Sequence, residues 1–93
     1  ISKGAKVKTG GQRKGNKGYF YEPTVLTDVP LDAKIMNDEP FGPLAPISPF
    51  KDFDGVMKEA NRLPWGLAAY AYTTNSKTMA QVGAAFESGM VSI

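Results

Sequence analysis

The chain contains neither cysteine nor histidine among its 93 residues. Without cysteine it can form no disulfide scaffold, no thiolate metal site and no cysteine nucleophile. Without histidine it lacks the most common general base and the most common metal ligand. Its carboxylates are not clustered in the sequence, so we expect no metal site and no complete set of catalytic residues within this chain.

Long hydrophobic runs are also missing. No apolar stretch approaches the ~20 residues that a helix needs to span a bilayer, which argues against a membrane protein. The hydrophobic fraction of 42% and the charged fraction of 22% are typical of a globular chain of at most one domain. The sequence opens without an initiator methionine or a signal-peptide-like segment. We therefore expect a piece of a larger, cytoplasmic protein.

Positive charge is concentrated at one end of the chain. Six of the 11 basic residues precede the first acidic residue, Glu22, in a segment that also contains five of the ten glycines. A nucleic-acid-binding arm and a solvated loop both fit this composition. The glycines match neither a P-loop nor a G-x-G-x-x-G motif. We predict a basic, glycine-rich loop over residues 1–18, followed by an α/β segment over residues 19–93.

Strands and helices alternate in the predicted order of elements. The sequence predicts strands over 19–26 (interrupted at Pro23), 44–50, 67–73 and 91–93, a short helix over 31–36, and longer helices over 53–62 and 77–88. Asp52 and the segment 74–76 are the expected N-caps, and Gly89 is the expected C′ residue. This alternation is typical of an α/β fold with a mostly parallel sheet and crossover helices.

The pattern also predicts which side chains are buried. Phe20 or one of its neighbours should point into a core. One face of the first long helix should be buried, and the apolar run 67–73 should be covered on both sides. The residues expected on the inner helix faces are Phe53, Val56, Met57 and Ala60 in the first helix, and Met79, Val82 and Phe86 in the second.

The loop 39–43 combines a carboxylate, an aromatic ring and a stiff backbone. Pro40 holds Glu39 in an extended conformation. A carboxylate suits the two hydroxyl groups of a ribose, because both can donate to an ionised acceptor, and Phe41 could pack against a flat ring. On these residues alone, a solvated acid at Glu39 and a core side chain at Phe41 are the favoured interpretation.

Five blocks of the sequence bear on the role of this loop. They are Gly18-Tyr19-Phe20 with Glu22-Pro23-Thr24-Val25, Asp38-Glu39-Pro40-Phe41-Gly42-Pro43, Ala60-Asn61, Gly66-Leu67-Ala68-Ala69-Tyr70 and Gly89-Met90-Val91-Ser92-Ile93. In this order they resemble the later part of the catalytic domain of the aldehyde dehydrogenase superfamily. The segments 44–46 and 67–70 look most like its succinate-semialdehyde dehydrogenase branch. The resemblance covers nearly the whole chain and implies that residues 1–93 are part of such a domain.

The resemblance also implies a function. In this family the glutamate of the E-x-F-G-P loop holds the nicotinamide ribose and the phenylalanine lies beside the nicotinamide, roles that fall on Glu39 and Phe41. The family oxidises aldehydes with NAD or NADP, through a cysteine thiolate and a general-base glutamate that lie upstream of the matched region. We therefore expect this chain alone to be inactive and to hold no cofactor.

The expected partners follow from the same resemblance. They are a small-molecule aldehyde, the remainder of the dehydrogenase and further copies in a homo-oligomer, with neither nucleic acid nor membrane. Two alternatives from other classes stay open: a small basic nucleic-acid-binding module, and a non-catalytic interaction domain that shares the fold.

Overall fold

The computed structural model describes all 93 residues as an α/β structure. The strands are β1 (Lys6–Thr9), β2 (Thr24–Thr27), β3 (Leu44–Ile47), β4 (Ala68–Tyr70) and β5 (Met90–Ser92), and the helices are a 3-10 helix (Lys34–Met36), α1 (Phe53–Ala60) and α2 (Ser76–Ala85). Neither α-helix is long and apolar enough to cross a membrane. The chain divides into two compact units, Ile1–Pro49 and Phe50–Ile93.

The first unit contains a three-stranded sheet in the order β1-β2-β3. β2 pairs with β1 in the antiparallel direction and with β3 in the parallel direction. The parallel pairing was predicted, but β1 was not, because it lies within the segment 1–18 that we expected to be a loop. Val7 and Thr9 are β-branched and favour a strand. Lys6 and Lys8, which alternate with them, are exposed, as is common on an edge strand.

The aromatic segment 19–21 is not part of a strand and contributes nothing to a core, contrary to expectation. Tyr19 is fully exposed, Phe20 is 67% exposed, and Tyr21 forms only an isolated bridge with Arg13. Pro23 has no N–H to continue a ladder, so β2 begins only at Thr24. Within this chain Tyr19 and Phe20 are therefore mostly uncovered, and Tyr21 is 43% exposed.

The core of the first unit lies between β2 and the turns that follow it. Leu26, Val29 and Ala33 are buried, with Ala5, Ile35 and Met36 packed against them. The predicted helix over 31–36 shortens to the 3-10 helix Lys34–Met36, which lacks a side-chain cap at its N-terminus. A turn closed by the bond from Ala33 N to Pro30 O at 3.0 Å precedes it. A 3-10 helix of three residues is a common connector.

The second unit confirms the predicted caps. Asp52 Oδ1 accepts from Gly55 N at 2.7 Å at the start of α1, and Asn75 Oδ1 accepts from Thr78 N at 3.0 Å at the start of α2. These bonds satisfy donors that have no partner within the helix. β4 pairs with β5 in the parallel direction, as the alternation of elements predicted.

Burial in the second unit is much lower than predicted. No residue of α1 is buried: Phe53, Val56 and Met57 are half-buried and Ala60 is exposed. The run 67–73 forms a three-residue strand whose Tyr70 is 62% exposed, so it is not covered on both faces. On α2, Val82 is buried, Phe86 is half-buried and Met79 is 39% exposed. The amphipathic patterns are present, but this chain does not cover them.

Gly89 also has a different role from the predicted one. The C-cap of α2 is Phe86, three residues earlier. Gly89 N donates to Gly66 O at 2.9 Å, and a Cβ on Gly89 would lie 3.2 Å from Leu67 O. The glycine therefore allows two backbone segments to approach closely just before β5 pairs with β4.

The total accessible surface supports the same picture of incomplete burial. The chain exposes 7397 Å². Two independent folded units of half its mass would together expose only about 6300 Å². Large exposed apolar surface of this kind drives association.

We predict that the 93-residue chain, produced alone, self-associates. Sedimentation velocity over a concentration series should show a mean mass that rises above that of a monomer. A monomer at every concentration up to about 100 μM would contradict the prediction. High salt should not reverse the association, since the contacts are apolar and not ionic.

Asp28, which directly follows β2, gives a second prediction. It is the only non-glycine residue with a positive φ, at 54°, and its carboxylate lies 3.0 Å from Lys6 Nζ. The exposed ion pair contributes about 0–1 kcal/mol, whereas a positive φ costs an ordinary residue about 1–2 kcal/mol and Asn or Asp less. The backbone cost should therefore outweigh the loss of the ion pair. We expect Asp28→Ala to lower the free energy of unfolding by about 1 kcal/mol, and Asp28→Asn to lower it by less than half of that, because Asn tolerates a positive φ. Chemical denaturation measures both, and equal losses would show that the ion pair dominates.

The pairing of Lys3 with Asp32 gives a prediction of pH dependence. Lys3 Nζ donates to Asp32 Oδ2 and to Asp32 O, both at 2.9 Å. The hydrogen bond from Lys3, and then its positive charge, lower the pKa of Asp32. A lowered folded-state pKa stabilises the fold above the unfolded value of about 3.9, and this contribution is lost as the pH falls through the folded-state pKa.

Lys3→Met should return the pKa of Asp32 towards its ordinary value. The variant should then no longer lose the stability that this ion pair contributes when the pH falls. An NMR titration of the Asp32 carboxyl carbon measures the pKa directly. Lys8→Met is the matched control, because Lys8 is exposed and forms no ion pair. A pKa of Asp32 that stays the same in Lys3→Met would contradict the prediction.

Candidate functional site

The loop between the 3-10 helix and β3 has no regular secondary structure, as predicted from its two prolines. It begins at Asn37, the C-cap of the 3-10 helix, and ends where Leu44 enters β3. The backbone nitrogens of Asn37 and Asp38 both donate to Lys34 O, at 3.0 and 2.8 Å. The loop therefore leaves the helix in a fixed direction.

The far end of the loop is fixed by the sheet. Thr24 N donates to Pro43 O at 2.8 Å, and Thr24 is the partner of Leu44 in the parallel pairing of β2 with β3. Thr24 itself is only 3% exposed. Residues 39–42 thus connect two anchored positions, and Pro40 further restricts the backbone of Glu39.

Glu39 borders a shallow cavity of about 330 Å³ within the first unit. The cavity is lined by Lys34, Ile35, Asp38, Glu39, Pro40 and Leu44. The side chain of Glu39 is exposed, and its carboxylate forms no hydrogen bond or ion pair within the chain. Both carboxylate oxygens are therefore available to accept hydrogen bonds from a ligand.

Phe41 does not line this cavity. Its side chain is 90% exposed, so the alternative that it is a core residue of this chain is wrong. Next to it, Gly42 has open space around its Cα. The structure places Glu39 and Phe41 on the same short loop but does not bring them together around one cavity. The ring remains available to pack against a flat group.

Apart from Glu39 and Pro40, sequence reasoning did not assign the residues around the cavity to a site. Lys34 and Asp38 form a distant ion pair at 3.9 Å, with both side chains well exposed. Their i, i+4 spacing was visible in the sequence. The apolar floor formed by Ile35 and Leu44 depends on how the loop returns to the sheet, which no local pattern shows.

Several basic side chains of the N-terminal segment form ion pairs or hydrogen bonds within the chain. Lys3 pairs with Asp32, Lys6 pairs with Asp28, and the Arg13 guanidinium donates to Gly18 O at 2.6 Å. Half of the six basic side chains are therefore engaged within the chain. A nucleic-acid-binding role for this segment stays a hypothesis, with fewer free cations to support it. No group of three or more acidic side chains is placed to hold a metal ion.

Comparisons with known proteins agree along the whole chain. The model of the "Aldehyde dehydrogenase family" matches residues 1–93. A probable NADP⁺-dependent succinate-semialdehyde dehydrogenase of Sinorhizobium fredii is 50% identical over 93 residues, and the succinate-semialdehyde dehydrogenase GabD of Escherichia coli is 45% identical over the same length. In each case the match covers 100% of this chain and 19% of the relative. The chain thus spans about a fifth of the length of these curated relatives.

Solved structures give the same result. A crystal structure of an NADP-dependent enzyme from E. coli superposes with a TM-score of 0.93 at 45% identity, over 99% of this chain and 19% of the other. The NAD⁺ complex of an aldehyde dehydrogenase from Bacillus cereus superposes with a TM-score of 0.93 at 43% identity and the same coverage. The α/β arrangement of this chain is therefore one that full-length aldehyde dehydrogenases contain. Because the family match extends from the first residue to the last, the chain belongs to the aldehyde dehydrogenase family.

Proposed function

We propose that the full-length protein is an NAD(P)-dependent aldehyde dehydrogenase, in which Glu39 binds the ribose next to the nicotinamide. Relatives of this chain carry NADP⁺ in their names, and one similar structure is an NAD⁺ complex. This chain spans about a fifth of those proteins. The activity therefore belongs to a longer polypeptide, to which this chain contributes one part of the cofactor site.

The observation that carries the proposal is the position of the Glu39 carboxylate. It lies at the edge of a cavity, on a loop anchored at both ends, with both oxygens unbonded. A ribose diol offers two O–H donors, and an ionised carboxylate offers matching acceptors. Hydrogen bonds to a charged group are stronger than those between neutral groups. The residues present thus fit the sugar of a dinucleotide.

Phe41 supplies a second, apolar contact in this proposal. Its exposed ring lies two residues beyond Glu39, separated from it by the rigid Pro40. A flat aromatic face next to the sugar suits a pyridine ring. Glu39 then fixes the sugar, and Phe41 restricts where the attached nicotinamide can lie.

The reaction proposed for the full-length protein is RCHO + NAD(P)⁺ + H₂O → RCOO⁻ + NAD(P)H + 2 H⁺. The dinucleotide supplies a two-electron acceptor for the hydrogen that leaves the aldehyde carbon as hydride. The residues of this chain bind and orient, and they perform no covalent step. With no cysteine in the chain, the nucleophile of the family mechanism has to lie elsewhere in the protein. We expect the 93-residue chain alone to be inactive.

The substrate class that we favour is a semialdehyde, with succinate semialdehyde as the first candidate. Relatives that are 50% and 45% identical are named as succinate-semialdehyde dehydrogenases, and a glutarate-semialdehyde dehydrogenase of Pseudomonas aeruginosa is 45% identical. We further expect the remainder of the dehydrogenase as partner, assembly into a homo-oligomer and a cytoplasmic location.

We predict that Glu39→Gln in the full-length protein weakens dinucleotide binding and slows turnover. A charge-assisted hydrogen bond is worth about 1.5–3 kcal/mol, so kcat/KM for the dinucleotide should fall about 10- to 100-fold. The measurements are steady-state kinetics and a direct titration with the oxidised dinucleotide.

Glu22→Gln is the matched control, because Glu22 lies in the same unit and its carboxylate forms no ion pair. It should stay within about twofold of the unmodified enzyme, as substitutions outside such features usually have small effects. If Glu39→Gln bound the dinucleotide and turned over like the unmodified enzyme, the assignment of Glu39 to the ribose would be wrong.

A further inference from the structure

The amide of Asn37 connects the start of the Glu39 loop to the turn before the 3-10 helix. Asn37 Nδ2 donates to Leu31 O and to Ala33 O, both at 2.8 Å. These two bonds use both N–H groups of the amide. Ala33 is buried in the core of the first unit, so one of the two bonds ties the start of the loop directly to that core.

These bonds hold a part of the backbone that the sheet does not reach. The 3-10 helix is only three residues long and has no side-chain cap at its N-terminus. Two bonds to Lys34 O close its C-terminal end, and Asn37 spans back across the whole helix. A single 3-10 turn is weakly held by itself. The side chain of Asn37 therefore reinforces these two backbone bonds in fixing the direction in which Asp38 and Glu39 leave the helix.

The opposite end of the loop is already held by the pairing of β2 with β3, through the bond from Thr24 N to Pro43 O. Leu44 N also donates to Gly42 O at 2.9 Å, so with the Asn37 bonds in place only residues 39–41 lack a hydrogen bond that anchors them. Without them, the start of the loop would be held only by the two backbone bonds to Lys34 O, on a helix of a single turn. The carboxylate of Glu39 would then occupy many positions, and a ligand would have to order it on binding.

We propose that Asn37 is a positioning residue that acts through Glu39, holding its carboxylate in the orientation that binds the nicotinamide ribose. This inference rests on the proposed function of Glu39. Asn37 touches neither cofactor nor substrate in this scheme. Its contribution is preorganisation, because a group that is already in place costs less to engage and directs the attached ring more accurately.

The test uses Asn37→Leu in the full-length enzyme, since leucine has a similar size but no donors. We expect the Kd for the oxidised dinucleotide to rise and kcat to fall, together on the order of tenfold in kcat/KM. With aldehyde deuterated at its carbonyl carbon, the isotope effect on kcat should increase, because a misplaced ring makes hydride transfer slower. Asn37→Ser, which keeps one donor, should lie between Asn37→Leu and the unmodified enzyme.

Asn75→Leu is the structural control. Asn75 also caps a helix through its side chain, and it lies in the other unit. It should lower the melting temperature without changing the isotope effect or the dinucleotide Kd. If Asn37→Leu and Asn37→Ser changed only the melting temperature, as Asn75→Leu does, the proposal would be overturned and Asn37 would be purely structural.

A double-mutant cycle separates this inference from the proposed function. If Asn37 acts through Glu39, then Asn37→Leu should change kcat/KM less than twofold once Glu39→Gln is present. If the effects of the two substitutions on kcat/KM were fully additive, the positioning role of Asn37 would be wrong, whereas the role of Glu39 would be unaffected. A Glu39→Gln variant that behaves like the unmodified enzyme would instead refute the proposed ribose-binding role of Glu39 itself. Should Asn37→Leu fail to fold, Asn37→Ser completes the same cycle.

Discussion

The buried Thr24 joins three parts of the first unit, and the geometry near Glu39 depends on it. Its hydroxyl donates to Glu22 O and accepts from Gly11 N, both at 2.8 Å, while its backbone N–H holds Pro43 O. The glycine-rich segment is thereby fixed on one side of β2 and the Glu39 loop on the other. Gly10 has to be a glycine here, because its φ is +73° and a Cβ would overlap the Pro23 carbonyl oxygen. A polar side chain is suitable at this buried position because each bond it makes replaces one to water.

Local features of the sequence predicted local features of the structure. Asp52 and Asn75 cap helices as expected, because capping depends on three or four neighbouring residues. Pro40 and Pro43 predicted an irregular, stiff loop for the same reason. Strand β1 was missed because a Lys-Val-Lys-Thr segment between glycines is a weak strand signal, and it pairs only where β2 offers a partner edge.

Burial could not be predicted from the same patterns. The faces of α1 and of the 67–73 run are apolar, yet Phe53 stays half-buried and Tyr70 is 62% exposed. Periodicity shows which side of an element is apolar, but not which part of a protein covers it. This chain spans about a fifth of the length of its relatives, and within it nothing covers these faces completely. The sequence showed which faces are apolar, but the prediction that they are buried within this chain was wrong.

In the candidate site, too, some features follow from neighbouring residues and others only from the fold. Glu39 and the stiffness of its loop follow from residues 39–43, whereas the role of Asn37 does not. An asparagine at the start of a loop has many possible partners, and only the fold shows that the carbonyls of residues 31 and 33 lie within 2.8 Å of its amide. The sequence could not predict that Phe41 is exposed either, since an aromatic residue in a loop is as typical of a core as of a binding surface.

Incomplete burial need not disturb the geometry of the loop. The bonds that anchor it join residues 24, 31, 33, 34 and 43, all within the first unit. Dinucleotide binding is different, because the two hydroxyl groups of a ribose can donate only two charge-assisted bonds to one carboxylate, of about 1.5–3 kcal/mol each. Immobilising a ligand costs about 4–15 kcal/mol in lost translational and rotational freedom. In the proposed function, the contacts of Glu39 therefore orient a dinucleotide whose binding needs further contacts from other residues.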